Sequence, residues 1–311
     1  MPNTPRHLLT LEEFSPKEVA SLLDLAVKIK KTPAKYQKVL AGQSLAMIFD
    51  KSSARTRISF EVGMYQLGGH ALFINGSEIQ IGKRESVGDT AKVLSRFVQG
   101  IMIRTYAHSI VEGLAENSTV PIINGLTDSH HPCQVLADLQ TIREKFKKLK
   151  GLQLVYVGDG NNMTHSLMIG AAKTGMHCRA VCPKGYEPDA AILKVAQAEG
   201  KKTGSRIEVT HQVQGSAKGA DVVYTDVWAS MGQESEKEKR VRDFQGYQVN
   251  GKLMAECPKA IFLHCLPAHR GEEVSAGVID GKQSMVWDQA ENRLHAQKAV
   301  LVTLMGKRGK S

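Results

Sequence analysis

The run Ser52-Ser53-Ala54-Arg55-Thr56-Arg57 sets two guanidiniums and three hydroxyls directly after the apolar stretch Leu45 to Phe49. A helix opening there offers unpaired N–H groups and a partial positive charge, with Ser53 as its cap and Arg55 or Arg57 as a planar fork for a phosphate. The same residues also read as a plain capped helix start. Further on, His130-His131-Pro132-Cys133-Gln134 places His131 and Gln134 three apart around a proline that suits the first turn of a helix. An imidazole can donate to a carbonyl oxygen and a glutamine amide can read a neighbouring NH2, which fits a carbamoyl-like group; a capping histidine is the alternative.

Three other strings carry chemistry. Leu263-His264-Cys265-Leu266-Pro267, with His269 beyond it, invites a metal reading. Neighbours on a strand point to opposite faces, so His264 and Cys265 are not expected to share an ion, and no second cysteine cluster completes four ligands. Cys265 then reads either as a thiolate of lowered pKa or as an inert buried thiol. In Asp226-Val227-Trp228-Ala229-Ser230-Met231-Gly232, a strand-end carboxylate with a hydroxyl four residues on can hold an α-amino group, although the charged stretch Glu234 to Arg242 that follows suggests a solvated loop. Gly158-Asp159-Gly160-Asn161-Asn162-Met163 is half of a dinucleotide fingerprint, but Met163 replaces the third glycine and Val181-Cys182-Pro183-Lys184 lacks the acidic ribose partner. That argues against a nicotinamide cofactor and leaves Asn161 and Asn162 either to present amides to a ligand or to make a tight turn.

These groups need elements to hold them. Ser15-Pro16-Lys17-Glu18 is a capping box, and Val19, Leu22, Leu23 and Ala26 fall on one face of the helix it opens. Apolar runs then alternate with helical stretches: strands at 45–49, 70–74, 101–103 and 120–123, with helices from Arg55, from Glu85 and near Ser109. The second half repeats the pattern with strands at 152–157, 179–181, 207–210, 222–225 and 261–263. Such alternation predicts an α/β fold of two domains, each a mainly parallel sheet flanked by helices. A helix from Pro132 to about Phe146 bridges them, and a closing helix over 292–305 is expected to pack back on the first domain. The expected divisions are 1–147, 148–290 and 291–311. In open parallel sheets ligands bind beyond the carboxyl ends of strands, where all of the strings above fall.

Size and composition agree with this reading. At 311 residues, 42% hydrophobic and 23% charged, the chain suits two globular domains, with no apolar run long enough to span a bilayer and no leader-like amino terminus. A cytoplasmic location without a membrane role is expected. Five scattered cysteines without a C-x-x-C pair read as free thiols. The net charge of +10 is spread along the chain with little aromatic interleaving, and its clusters at 145–150 and 307–310 read as a solvated helix end and a terminus, so an anionic small substrate explains it better than nucleic acid.

Taken in order, S-x-R-T-R, H-P-x-Q, D-x-x-x-S-M-G and H-C-L-P resemble the ornithine carbamoyltransferase family of the aspartate/ornithine carbamoyltransferase superfamily. The similarity runs from Leu8-Leu9 to Ala290-Glu291-Asn292-Arg293 and includes Lys184 to Pro188. It implies transfer of the carbamoyl group of carbamoyl phosphate to the δ-amine of L-ornithine, giving citrulline for arginine biosynthesis, with no cofactor and no metal. S-x-R-T-R and H-P-x-Q alone also fit another acceptor such as putrescine or aspartate. By the resemblance Ser53, Ala54, Arg55, Thr56 and Arg104 hold the phosphate, Arg104, Thr56 and His131 polarise the carbonyl, and Gln134 binds the carbamoyl NH2. Cys265 and Leu266 would stand at the reacting centre, and Arg293 would close onto the carbamoyl group; Arg104, His131, Gln134 and Cys265 are the expected catalytic set. Leu126, Asn162, Asp226, Ser230 and Met231 are expected around ornithine. The family builds homotrimers, and Gln80 matches a residue lent across the interface for carbamoyl phosphate. One departure stands out: Ala54 occupies a place where the family has threonine.

Overall fold

The computed structural model describes residues 5–230, 232 and 234–306. Met231 and the basic terminus at 307–310 lie outside them. Contacts divide the chain into two compact units, one of 1–137 with 291–311, the other of 138–290.

The first unit opens with α1 (Pro16–Lys31), whose capping box is complete: Ser15 Oγ accepts from Glu18 N at 3.3 Å, and Glu18 Oε2 accepts from Ser15 N at 2.8 Å. There follow β1 (Ser44–Phe49), α2 (Ala54–Gln66), β2 (His70–Asn75), α3 (Gly76–Ile79), α4 (Val87–Phe97), β3 (Gly100–Arg104), α5 (His108–Asn117) and β4 (Ile122–Leu126). The four strands are parallel in the order β2-β1-β3-β4. β1 and β3 lie inside the sheet, covered on both faces, which is why they are unbroken apolar runs. β2 is an edge and leaves Leu72 and Phe73 about two-fifths exposed. The fourth strand runs to Leu126, beyond the expected end at Ile123. Asn124 and Gly125 do not read as strand, but Asn124 is pinned by the amino-terminal segment: its N donates to Leu8 O at 2.8 Å and its Nδ2 to Leu9 O at 2.8 Å. The register shifts between Ile103 and Arg104, so Arg104 pairs with Leu126.

α6 (Pro132–Phe146) starts in the first unit and ends in the second, because the division falls at Ala137/Asp138 inside this helix, ten residues before the expected boundary at 147. The second unit continues with β5 (Gln153–Val157), α7 (Asn162–Thr174), β6 (His177–Val181), α8 (Ala190–Thr203), β7 (Ile207–Thr210), β8 (Val222–Thr225), α9 (Lys237–Asp243), α10 (Gly251–Ala255), β9 (Ile261–His264) and α11 (Ala276–Ile279). Its five strands are parallel in the order β7-β6-β5-β8-β9. The Gly158-Asp159-Gly160 turn leaves β5 at the centre of this sheet. Gly160 N donates to Tyr186 O at 2.8 Å, and a Cβ there would run into the backbone of Glu187 and Pro188, so this glycine serves a close approach of two loops.

The closing helix, α12 (Val286–Met305), begins at Val286 rather than at Asn292. Its first turns hide buried polar groups that hydrophobic periodicity does not register: Gln289 Nε2 donates to Asp138 Oδ1 at 2.7 Å and to Tyr224 Oη at 3.0 Å. From Glu291 onward the helix packs within the first unit, where Ala299 joins Ala26 and Ile29 and Lys298 Nζ donates to Gln66 Oε1 at 2.8 Å. No described helix is long and apolar enough to cross a membrane.

Candidate active site

In the first unit the chemistry gathers at the carboxyl ends of β1, β3 and β4. Ser53 caps α2: its Oγ accepts from Thr56 N at 3.2 Å and donates to Thr56 Oγ1 at 3.1 Å. The turn before it is bound to the end of β3, since Arg104 O accepts from Asp50 N at 2.9 Å and Thr105 Oγ1 donates to Asp50 Oδ2 at 2.5 Å. Lys51, buried, donates to Asp128 Oδ1 at 2.5 Å and lies 4.3 Å over the Tyr106 ring, so one ammonium joins the loops after all three strands. Of the two arginines in the run, Arg57 turns outward to Glu61 Oε2 at 3.2 Å and stacks 4.0 Å over Phe73. Arg55 is half-buried, and its charge acts on His131.

Arg293, on α12, reaches the same place. Its Nη1 donates to Gln134 Oε1 at 2.6 Å and its Nη2 to Thr56 Oγ1 at 3.2 Å, all three residues being buried. His131 is enclosed with them, and its pKa lies well below the ordinary histidine value, first because burial disfavours the cation and then because Arg293, Arg104 and Arg55 repel it. At neutral pH this imidazole is uncharged. Cys133, two residues on, is a buried thiol pushed up to about 12 by burial and is inert. Leu126 ends β4, its carbonyl accepting from Thr105 N at 3.0 Å. Ala54 is exposed at the first position of α2. Gln80 is exposed at the end of α3 with φ 50°, and among the described residues it shares no hydrogen bond with Ser53, Arg104 or His131.

The second unit builds its polar group around Asp226. Asn161 caps α7 through Oδ1, accepting from Met163 N at 2.9 Å and Thr164 N at 3.3 Å, and its Nδ2 donates to Asp226 Oδ2 at 3.1 Å. Asp226 Oδ1 accepts from Val227 N at 2.8 Å and from Cys265 Sγ at 3.0 Å. Cys265 is thus a thiol donating to a carboxylate, a different environment from the basic one expected for a thiolate. Asn162 and Ser230 are half-buried beside this group in sequence. Arg240 anchors the loop that holds Ser230: Nη1 donates to Asp159 Oδ2 at 2.7 Å and to Trp228 O at 3.0 Å. Burial nevertheless raises the Asp159 pKa above the usual carboxylate value, with Arg240 opposing.

The H-C-L-P turn is fixed by its own histidine. Leu266 N donates to His264 Nδ1 at 2.8 Å, which leaves the proton on Nε2, and that atom stands 3.1 Å from Glu273 Oε1. Leu266 itself has φ 60° and precedes a cis peptide to Pro267. The donor atoms of Asp226, His264 and Cys265 come within 4.8 Å of one another. This corrects the expectation from strand alternation: β9 ends at His264, so Cys265 no longer obeys it. Both ring nitrogens of His264 are engaged by Leu266 and Glu273.

The sequence pattern of the aspartate/ornithine carbamoyltransferase carbamoyl-P binding domain matches residues 6–144, and that of the Asp/Orn binding domain of the same proteins matches 150–304. The chain belongs to the aspartate/ornithine carbamoyltransferase family. It is 57% identical over 303 residues to the ornithine carbamoyltransferase of Oceanobacillus iheyensis, covering 96% of this chain and 94% of that one. It resembles the solved ornithine carbamoyltransferase from Pyrococcus furiosus with a TM-score of 0.94 at 50% identity over 99% of both chains. The anabolic ornithine carbamoyltransferase from Campylobacter jejuni gives a TM-score of 0.91 at 38% identity, covering 96% of this chain and 98% of that one.

Within this carbamoyltransferase, two residues have no counterpart among those expected. Lys51 stands two places before the S-x-R-T-R run, and that position is the available signal. Arg240 lies in the charged stretch expected to be solvated, yet it is buried. Of the two asparagines expected to present amides, Asn161 reaches Asp226. Met231 falls outside the described residues.

Proposed function

We propose that the chain transfers the carbamoyl group of carbamoyl phosphate to the δ-amine of L-ornithine, yielding L-citrulline and phosphate, in the direction of arginine biosynthesis. The observation that carries this is the neutral His131 enclosed with Arg293, Gln134 and Thr56. An uncharged imidazole can donate to the carbamoyl oxygen without repelling the guanidiniums that must stabilise the developing oxyanion. Gln134, whose Oε1 accepts from Arg293 Nη1, binds the carbamoyl NH2. Ser53, Arg55, Thr56 and the N–H groups of the first turn of α2 take the phosphate, with Ala54 contributing its backbone alone.

In the second unit, Asp226 and Ser230, with Asn162 and Met231, take the α-amino and α-carboxylate ends of ornithine; Leu126, at the end of β4 in the first unit, is assigned to the same substrate. An alkylamine titrates near ~10.4, so the substrate arrives protonated and must lose a proton before attack. Cys265, which donates to Asp226 Oδ1, orients that amine and relays its proton: the thiol proton passes to the Asp226 carboxylate as the sulfur takes one from the ammonium. Attack of the neutral δ-nitrogen on the carbamoyl carbon forms the C–N bond and places charge on the oxygen facing Arg104 and His131; the nitrogen then gives its second proton to the departing phosphate oxygen as the C–O bond breaks, leaving citrulline and phosphate.

The working form is a homotrimer in which Gln80 serves a neighbour's carbamoyl phosphate. What supports this is the set of large apolar side chains that the first unit leaves exposed: Ile58, Val62 and Tyr65 of α2, Leu72 and Phe73 of edge strand β2, and Phe97 of α4, with Phe97 exposed by 71% and Tyr65 by 80%. Citrulline formation from carbamoyl phosphate, with ornithine, putrescine or aspartate supplied in turn, tests the reading. Ornithine alone should give rapid turnover; a faster reaction with either other acceptor would reassign the second unit.

A further inference from the structure

The loop after H-C-L-P returns at Glu273, which is fully buried. Its Oε1 is used twice, accepting from His269 N at 2.6 Å and lying 3.1 Å from His264 Nε2. Among the described residues its Oε2 has no hydrogen-bond partner, although an unsatisfied buried carboxylate oxygen is costly. That oxygen lies 3.8 Å from His269 Nδ1, and Glu272 Oε2 lies 3.8 Å from the same nitrogen. The three donor atoms all fall within 4.8 Å of one another. Lys237 balances Glu272 from the other side, 3.1 Å from Oε1, and leaves Oε2 facing the histidine.

The geometry points to a divalent-cation site formed by His269 Nδ1, Glu272 Oε2 and Glu273 Oε2, separate from the residues assigned to carbamoyl transfer. One imidazole nitrogen and two carboxylate oxygens, completed by water, suit a borderline ion of the Zn2+ or Co2+ type rather than Ca2+ or Mg2+. Donor atoms around tetrahedral zinc stand roughly 3.4 Å apart, so each histidine–carboxylate separation of 3.8 Å must shorten by about 0.4 Å, and the two carboxylate oxygens, within 4.8 Å of each other, by up to about 1.4 Å. The His269 side chain is 45% exposed, which gives an ion an open approach while Glu273 forms the floor. Because Glu273 also holds His264, an ion here pins the loop that presents Cys265 and Leu266.

The test uses the full chain with Cys265→Ser, which removes the thiol that would otherwise compete for the probe. Zn2+ is titrated calorimetrically in phosphate-free buffer, and Co2+ is added for its absorption spectrum. One equivalent of Zn2+ should bind, and Co2+ should show ligand-field bands without sulfur charge transfer. Adding His269→Ala, or separately Glu272→Gln, should weaken binding at least about tenfold, the lower range for a damaged metal site. Both residues are partly exposed, so folding is checked by an unchanged urea midpoint without metal. Absence of binding in the Cys265→Ser chain, or equal binding in both further variants, overturns the site.

Discussion

Arg293 donates to Gln134 Oε1 at 2.6 Å across 159 positions of sequence, bringing the closing helix onto the helix that follows His131. The guanidinium also holds Thr56, so one side chain orders both strings that would grip carbamoyl phosphate. Arg293→Leu should therefore lower stability by about 1.5–3 kcal/mol, the range for hydrogen bonds to a charged group, and cut kcat/KM at least tenfold. Urea unfolding with initial rates checks both; loss of activity at unchanged stability would mean that Arg293 acts on substrate alone.

Arg104 ends β3 beside that cluster, and its charge helps keep His131 neutral. Removing one oxyanion donor costs about 10²-fold in kcat, so Arg104→Ala should lose at least that much. Near-normal turnover would remove Arg104 from the oxyanion site.

His131 is neutral in the fold, while an unfolded histidine titrates near ~6.5. Between its lowered pKa and that value the unfolded chain binds more protons, so this contribution to stability is present above pH ~6.5 and lost as pH falls below it. His7, His108 and His295 are lowered by burial too and act in the same sense. Stability should drop between pH 7.5 and 5.5, by up to about 1.4 kcal/mol per pH unit from the fully buried His131 and by less from the three partly exposed histidines, and less steeply in His131→Gln. Parallel urea midpoints in the two chains would show that His131 is charged when folded.

Ala54 opens α2 at the N-terminus proposed to take the phosphate, where a threonine would add a hydroxyl. Ala54→Thr should tighten carbamoyl phosphate by about 1 kcal/mol, roughly fivefold, the net worth of one hydrogen bond. Equal or weaker affinity in a direct binding measurement counts against a phosphate contact at this position.

For the trimer, Gln80→Ala and Arg104→Ala are each expected to impair activity strongly. Mixed after mild dissociation, they should regain part of it, because some sites would combine an intact Gln80 with an intact Arg104. Phe97→Asp should shift the chain to monomer on a sizing column. Sites complete within one chain would give no regain.

The strands and most helices were legible because buried parallel strands demand unbroken apolar runs and caps have local signatures, as at Ser15 and Ser53. The last strand residues before Leu126 and the first turns of α12 were not, since Asn124 and Gln289 are held by partners far off in sequence. The sequence by itself determined which residue types stand at the strand ends, and hence the anion-binding character and the resemblance. Only the tertiary structure decided their states: that Arg57 faces Phe73 while Arg55 acts on His131, that burial among cations keeps His131 neutral, and that Cys265 donates to Asp226. Charge state and hydrogen-bond direction depend on desolvation and on neighbours brought together through space, and neither is written in local spacing.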